Sequence, residues 1–128
     1  MPLVRIDLPP SKTPQYGTAV GDVVYAALVE TLNVPVDDRL QIITVHELPA
    51  SLAIHPSYLG IARSAEAIVI DITLNEGRSI ELKKTFYSAV CEGLHTRLAL
   101  RREDVIIVLT EVKKENWSFG NGTASYAD

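Results

Sequence analysis

The sequence predicts an α/β (α+β) fold in which two β-α-β units build a four-stranded sheet with both helices on one face. Three observations carry this reading. Two stretches with helical spacing are each flanked by β-branched, strand-like segments. The two halves match at a constant offset of 66 residues, with Thr13 falling on Ser79, Leu32 on Leu98 and Asp38 on Asp104. The segment "LNVPVDDR" thereby lies over "LALRREDV", as an internal duplication requires.

The first unit opens with "PLVRIDL", which alternates as a strand does, and Pro2 suits a strand start because it has no amide hydrogen to give a ladder. "SKTPQYGTAVGDVVYAALVETLNV" follows as a helix. Thr13 and Pro14 supply an N-cap and a first-turn proline, Val20, Val24, Ala27 and Leu28 line one face, and Asn33 with Pro35 beyond it marks the end. "LQIITVHEL" returns to strand composition. A turn-rich connector, "LPASLAIHPSYLGIARS", leads to the second unit: "AIVIDITL" as a strand, "SIELKKTFYSAVCEGLHTRLAL" as a helix and "DVIIVLTEV" as a strand. The second helix is expected to bury Leu82, Phe86, Val90, Leu94 and Leu98, at four-residue spacing. With both helices on one side, the other sheet face is left uncovered although its strands are rich in Val, Ile and Leu, and burial by copies of the same chain is the expected remedy.

Composition sets bounds on function. The 128 residues, 47% hydrophobic and 22% charged, suit one domain spanning 1–128 with a real core. A net charge of −4 argues against a nucleic-acid surface. The basic pairs Lys83-Lys84, Arg101-Arg102 and Lys113-Lys114 each sit beside acidic residues. Arg5 and Asp7 interrupt the first apolar run, so no signal peptide is expected, and no stretch approaches the roughly 20 apolar residues of a membrane span. A cytoplasmic, non-membrane protein is the expectation. Cys91 is the only cysteine, and His46, His55 and His95 have no ligand spacing, so no metal is expected.

Four features could carry chemistry. Removal of Met1 would free the secondary amine of Pro2, which could act as acid, base or nucleophile. Asp37 and Asp38, in "VPVDDR", are either a polar turn or a carboxylate that activates water or holds an ammonium. Arg78 precedes the second helix, where a guanidinium and free backbone amides suit a carboxylate; it could instead pair with Glu76 or Glu81. The aromatics of "ENWSFGNG" could pin a tail or wall a small apolar pocket.

Together Pro2, the duplicated β-α-β plan, "DRLQ" from Asp38 to Gln41, His46, "LGIARS" ending at Arg63 and Ser64, "GRSIELK" and "WSFGNG" resemble the tautomerase superfamily, and within it the malonate semialdehyde decarboxylase branch. The resemblance runs over nearly the whole chain. It implies a tautomerase/MIF-like fold, a homotrimer with active sites shared between subunits, and a processed N-terminal proline. It further implies Pro2 as the catalytic amine, Asp38 as the orienting carboxylate, Arg78 as the substrate-carboxylate anchor, and Trp117 and Phe119 as a hydrophobic wall. In the decarboxylase pattern two arginines flank one residue, whereas Glu76 stands here at the first of those positions and would repel an anion. Cofactor-free keto-enol tautomerisation of a small oxo acid is therefore ranked first, decarboxylation or hydration of malonate semialdehyde second, and a non-catalytic trimeric binding or signalling protein third.

Overall fold

The computed structural model describes residues 2–127. Chain order is β1 (Leu3–Leu8), α1 (Pro14–Leu32), β2 (Leu40–Val45), a short hairpin of β3 (Ser57–Tyr58) and β4 (Ile61–Ala62), β5 (Ile68–Asn75), α2 (Ile80–Leu98) and β6 (Val105–Val112). The four long strands form one sheet in the order β2-β1-β5-β6. β1 runs parallel to β2 and β5 parallel to β6, while β1 and β5 meet antiparallel, with Arg5 opposite Asp71. Two β-α-β units are thus joined along their first strands, as the duplication predicts.

Local chemistry sets the helix ends. Thr13 Oγ1 accepts from the Tyr16 amide at 3.1 Å and Pro14 starts α1; Ser79 Oγ accepts from the Leu82 amide at 3.2 Å at the head of α2. Both helices stop in a left-handed residue, Asn33 (φ 56°) and its counterpart Ala99 (φ 55°). Asparagine tolerates that conformation; Ala99 carries the cost of a Cβ there.

Alternate residues of the central strands, Val4, Ile6 and Leu8 with Ile68, Ile70, Ile72 and Leu74, are buried under Val20, Val24, Leu28, Phe86, Val90 and Leu94. Gly17 lets α1 settle onto β2, since a Cβ there would lie 2.8 Å from Ile43 Cγ2. Gly93 admits Val23 of α1 at the same distance. The expected α2 stripe needs one correction. Leu82 is 40% exposed and Leu98 only half-buried. A strict four-residue row turns about 40° further round a helix of about 3.6 residues per turn at each step, so a row this long carries its ends off the buried face.

The uncovered sheet face is more mixed than its strand composition suggests. Leu40, Ile42 and Val108 are exposed on the flanking strands, but the centre carries Arg5, Asp7 and Asp71, and Asp7 pairs with His46 at 2.7 Å. The connector is anchored by Asp104, which is wholly buried and accepts from the Ser64 amide at 2.7 Å and from its hydroxyl at 2.6 Å. No helix among the described residues is long and apolar enough to cross a membrane.

Candidate active site

Three of the residues singled out in the sequence meet at one end of the sheet. Pro2, buried just ahead of β1, lies on a cavity of about 130 Å³ with Asp38 and Arg78. Val34, Pro35 and Leu74 supply apolar wall, and Asn75 completes the lining. Each arrives by a different route. Asp38 follows α1 in a turn closed by its own amide donating to the Pro35 carbonyl at 3.1 Å. Leu74 and Asn75 end β5, and Arg78 sits in the tight link from β5 to α2.

The guanidinium of Arg78 is held by backbone carbonyls. Its Nη1 donates to Asn75 O at 3.1 Å and its Nη2 to Leu32 O at 3.0 Å. Neither Glu76 nor Glu81 pairs with it, and among the described residues Arg78 forms no ion pair. Two of five N–H donors are thereby used to fix the side chain, and three remain for an anion. The link itself is stitched to β6. The Glu76 amide donates to Val112 O at 2.9 Å, and Gly77, at φ 120°, donates to Glu111 Oε2 at 3.2 Å. Glu111 also accepts from Lys83 Nζ at 2.6 Å, and that hydrogen bond holds its carboxyl below the usual range.

Trp117 and Phe119 do not touch this cavity directly in the single chain. Their rings stack at 5.2 Å, and Phe119 meets Tyr126 edge-on at 5.4 Å. Trp117 is tied to the cavity through Asn75, whose Oδ1 accepts from the indole Nε1 at 2.8 Å. Asn75 was not singled out in the sequence, where it reads only as the residue after a strand. Glu76 is exposed and does not line the cavity of the single chain. Met1, whose removal decides the state of Pro2, lies outside the described residues.

The duplicated β-α-β sheet, with a cavity where its first strand begins, defines a protein of the tautomerase fold. The family model described as "Tautomerase enzyme" matches residues 38–120. The chain is 36% identical over 124 residues to the probable tautomerase YusQ of Bacillus subtilis (strain 168), covering 97% of each protein. In structure it is similar to FG41 malonate semialdehyde decarboxylase inhibited by 3-bromopropiolate, with a TM-score of 0.87 and 37% identity over 97% of this chain and 93% of that one. The fold is shared with a fused 4-OT wild-type symmetric trimer at a TM-score of 0.77 and 21% identity, over 98% of this chain and 97% of the other. The chain belongs to the tautomerase family, in a part of the superfamily that resembles malonate semialdehyde decarboxylase. It is an enzyme of the tautomerase type, which displaces the non-catalytic alternative.

Proposed function

We propose that the chain is a cofactor-independent tautomerase of a small oxo acid, working with Pro2 as a free secondary amine once Met1 is removed. The observation that carries this reading is the convergence of Pro2, Asp38 and Arg78 on one small cavity with apolar walls. Arg78 binds the substrate carboxylate through its remaining donors. Neutral Pro2 takes the enol hydroxyl proton and delivers a proton to carbon, which converts enol to ketone. An α-amino group titrates near about 7.7–8.0. Burial among Val34, Pro35 and Leu74 favours its neutral form, while the charge of Asp38 favours the cation, so the two neighbours set the acid–base balance.

Decarboxylation is the second reading, favoured by the position of Glu76 outside the cavity wall and by the likeness to a malonate semialdehyde decarboxylase. There protonated Pro2 would polarise the 3-oxo group while carbon dioxide leaves and its bonding pair becomes the enolate. Assembly as a homotrimer completes the proposal, supported by the exposed Leu40, Ile42 and Val108 of the open sheet face and by Tyr58 and Leu59 on the hairpin. Light scattering should return about three times the chain mass of 14.0 kDa, and a stable monomer would refute the assembly.

Intact mass and ketonisation kinetics test the chemistry. A sample lacking Met1 should ketonise a small enol acid; Pro2→Ala should slow it strongly, and chemical blocking of the terminus should abolish it. Full activity in a sample shown to retain Met1 would overturn the role of Pro2.

A further inference from the structure

The hydrogen bond between Trp117 and Asn75 carries information beyond its own strength. The amide oxygen and nitrogen of an asparagine cannot be told apart by shape, but an indole N–H only donates, so the Asn75 atom 2.8 Å from Trp117 Nε1 must be the oxygen. The amide is then locked in one orientation. Its NH₂ group is turned away from the indole and donates to no group among the described residues, while the residue lies on the cavity wall with Pro2 and Arg78. Meanwhile the Asn75 backbone carbonyl holds Arg78 Nη1 at 3.1 Å. One residue thus sets the place of the guanidinium with its main chain and offers a second donor with its side chain.

We infer that Asn75 is a substrate-binding residue whose amide NH₂ donates to the oxo or enolate oxygen of the substrate, and that Trp117 is the positioning residue that aims it. The inference rests on the proposed oxo-acid reading and deepens it. Arg78 recognises the carboxylate, which any short acid has; Asn75 recognises the neighbouring oxygen, which an oxo or enol acid has and a plain alkanoic acid lacks. A neutral donor suits an oxygen that gains charge as the enolate forms, because its hydrogen bond strengthens at that point without an ion being buried beforehand. Trp117 acquires a use distinct from hydrophobic cover, since a phenylalanine could wall the pocket but could not fix the amide.

Pyruvate and propionate have the same carboxylate and differ by the oxo group, so the ratio of their dissociation constants isolates the contact to that oxygen. Both can be titrated calorimetrically. The wild-type protein should prefer pyruvate by about tenfold, the worth of one well-placed donor. Asn75→Asp keeps an acceptor for Trp117 but loses the donor, and Asn75→Leu removes both; each should bring the ratio close to one. The added charge of the first variant repels the carboxylate of both ligands and, in pyruvate, the oxo oxygen as well, so its ratio falls to one or below, and the neutral Asn75→Leu variant gives the cleaner reading. Trp117→Phe should lower the ratio in the wild-type background and leave it unchanged in the Asn75→Leu background. Far-UV circular dichroism and a thermal melt, which do not report on the indole hydrogen bond itself, check that the fold of the Asn75 variants is intact. Pro2→Ala should keep the ratio while losing turnover, which separates this inference from the amine chemistry. Failure of Pro2→Ala to slow turnover sinks the proposed mechanism; a ratio unmoved in both Asn75 variants, or absent in the wild type, sinks the role of Asn75.

Discussion

Replacing Arg78 by alanine removes two things at once, and the structure allows them to be separated. The first is structural: hydrogen bonds from a cation to Asn75 O and Leu32 O, at 3.1 and 3.0 Å, which tie the residue ahead of α2 to the ends of β5 and α1. Bonds involving a charged group contribute about 1.5–3 kcal/mol each when fully sheltered. The side chain is half-buried, so a combined loss of about 2 kcal/mol is expected, enough to lower the melting temperature by roughly 8 °C in a domain of this size. The second loss is functional. If the three remaining donors hold a carboxylate, kcat/KM should fall by a further factor of about a hundred, or about 3 kcal/mol. Arg78→Lys should keep part of both, because a point charge replaces a planar fork. Thermal melts by circular dichroism and ketonisation rates at a temperature where every variant is folded measure the two effects independently. A melting temperature that falls while kcat/KM stays within twofold of wild type would mean that Arg78 is only a strut between the helices.

Three further outcomes are expected. Glu76→Arg, which puts a second cation beside Arg78, should raise turnover of malonate semialdehyde and leave ketonisation nearly unchanged; strong wild-type decarboxylation with no gain in the variant would show that one arginine suffices. Asp104→Ala leaves the Ser64 amide and hydroxyl without their acceptor in a buried site and should cost about 2–4 kcal/mol in urea unfolding, with ketonisation by the folded protein unaffected; loss of activity under native conditions would place Asp104 in the chemistry. The hydrogen bond from Lys12 holds the Glu66 carboxyl below its usual range. Its contribution is therefore present above the unfolded-state carboxylate range and is lost as pH falls through the lower folded value, so Lys12→Met should flatten the acid limb of the stability profile, and an unchanged limb would refute the pairing.

What the sequence disclosed depended on whether a residue's task was local. Thr13, Ser79, Pro14 and Asn33 act within one turn of themselves, and their types announced the helix ends correctly. The β3–β4 hairpin escaped because its turn, Leu59-Gly60, places both residues at positive φ, 51° and 77°, and leucine gives no hint of that conformation. Pro2, Asp38 and Arg78 stood out by their chemistry at chain positions that a duplicated fold brings to one end. Asn75 did not, because its part depends on an indole 42 residues away that only the folded chain places against it. Glu76 stands one residue from Asn75 and two from Arg78 in the sequence, yet it does not line the cavity with them.

The duplication explains why the two halves of so regular a scaffold do not offer the same cavity. At the offset of 66, Asp38 corresponds to Asp104, Arg78 to Lys12 and Pro2 to Ile68. A second, smaller cavity of about 90 Å³ does lie there, bordered by Lys12, Tyr16, Ser64, Glu66 and Asp104. Its charges are already matched from within. Lys12 is ion-paired with Glu66 and sits over the Tyr16 ring at 4.4 Å, while both oxygens of Asp104 receive hydrogen bonds from Ser64. Those partners come from the connector, which must enter the second unit at this end of β5, and Ile68 is an interior strand residue whose nitrogen is an amide. The same aspartate-and-cation frame therefore serves in one half as a clamp on the passing chain. In the other half Arg78 is held by the carbonyls of Asn75 and Leu32, with no carboxylate partner among the described residues.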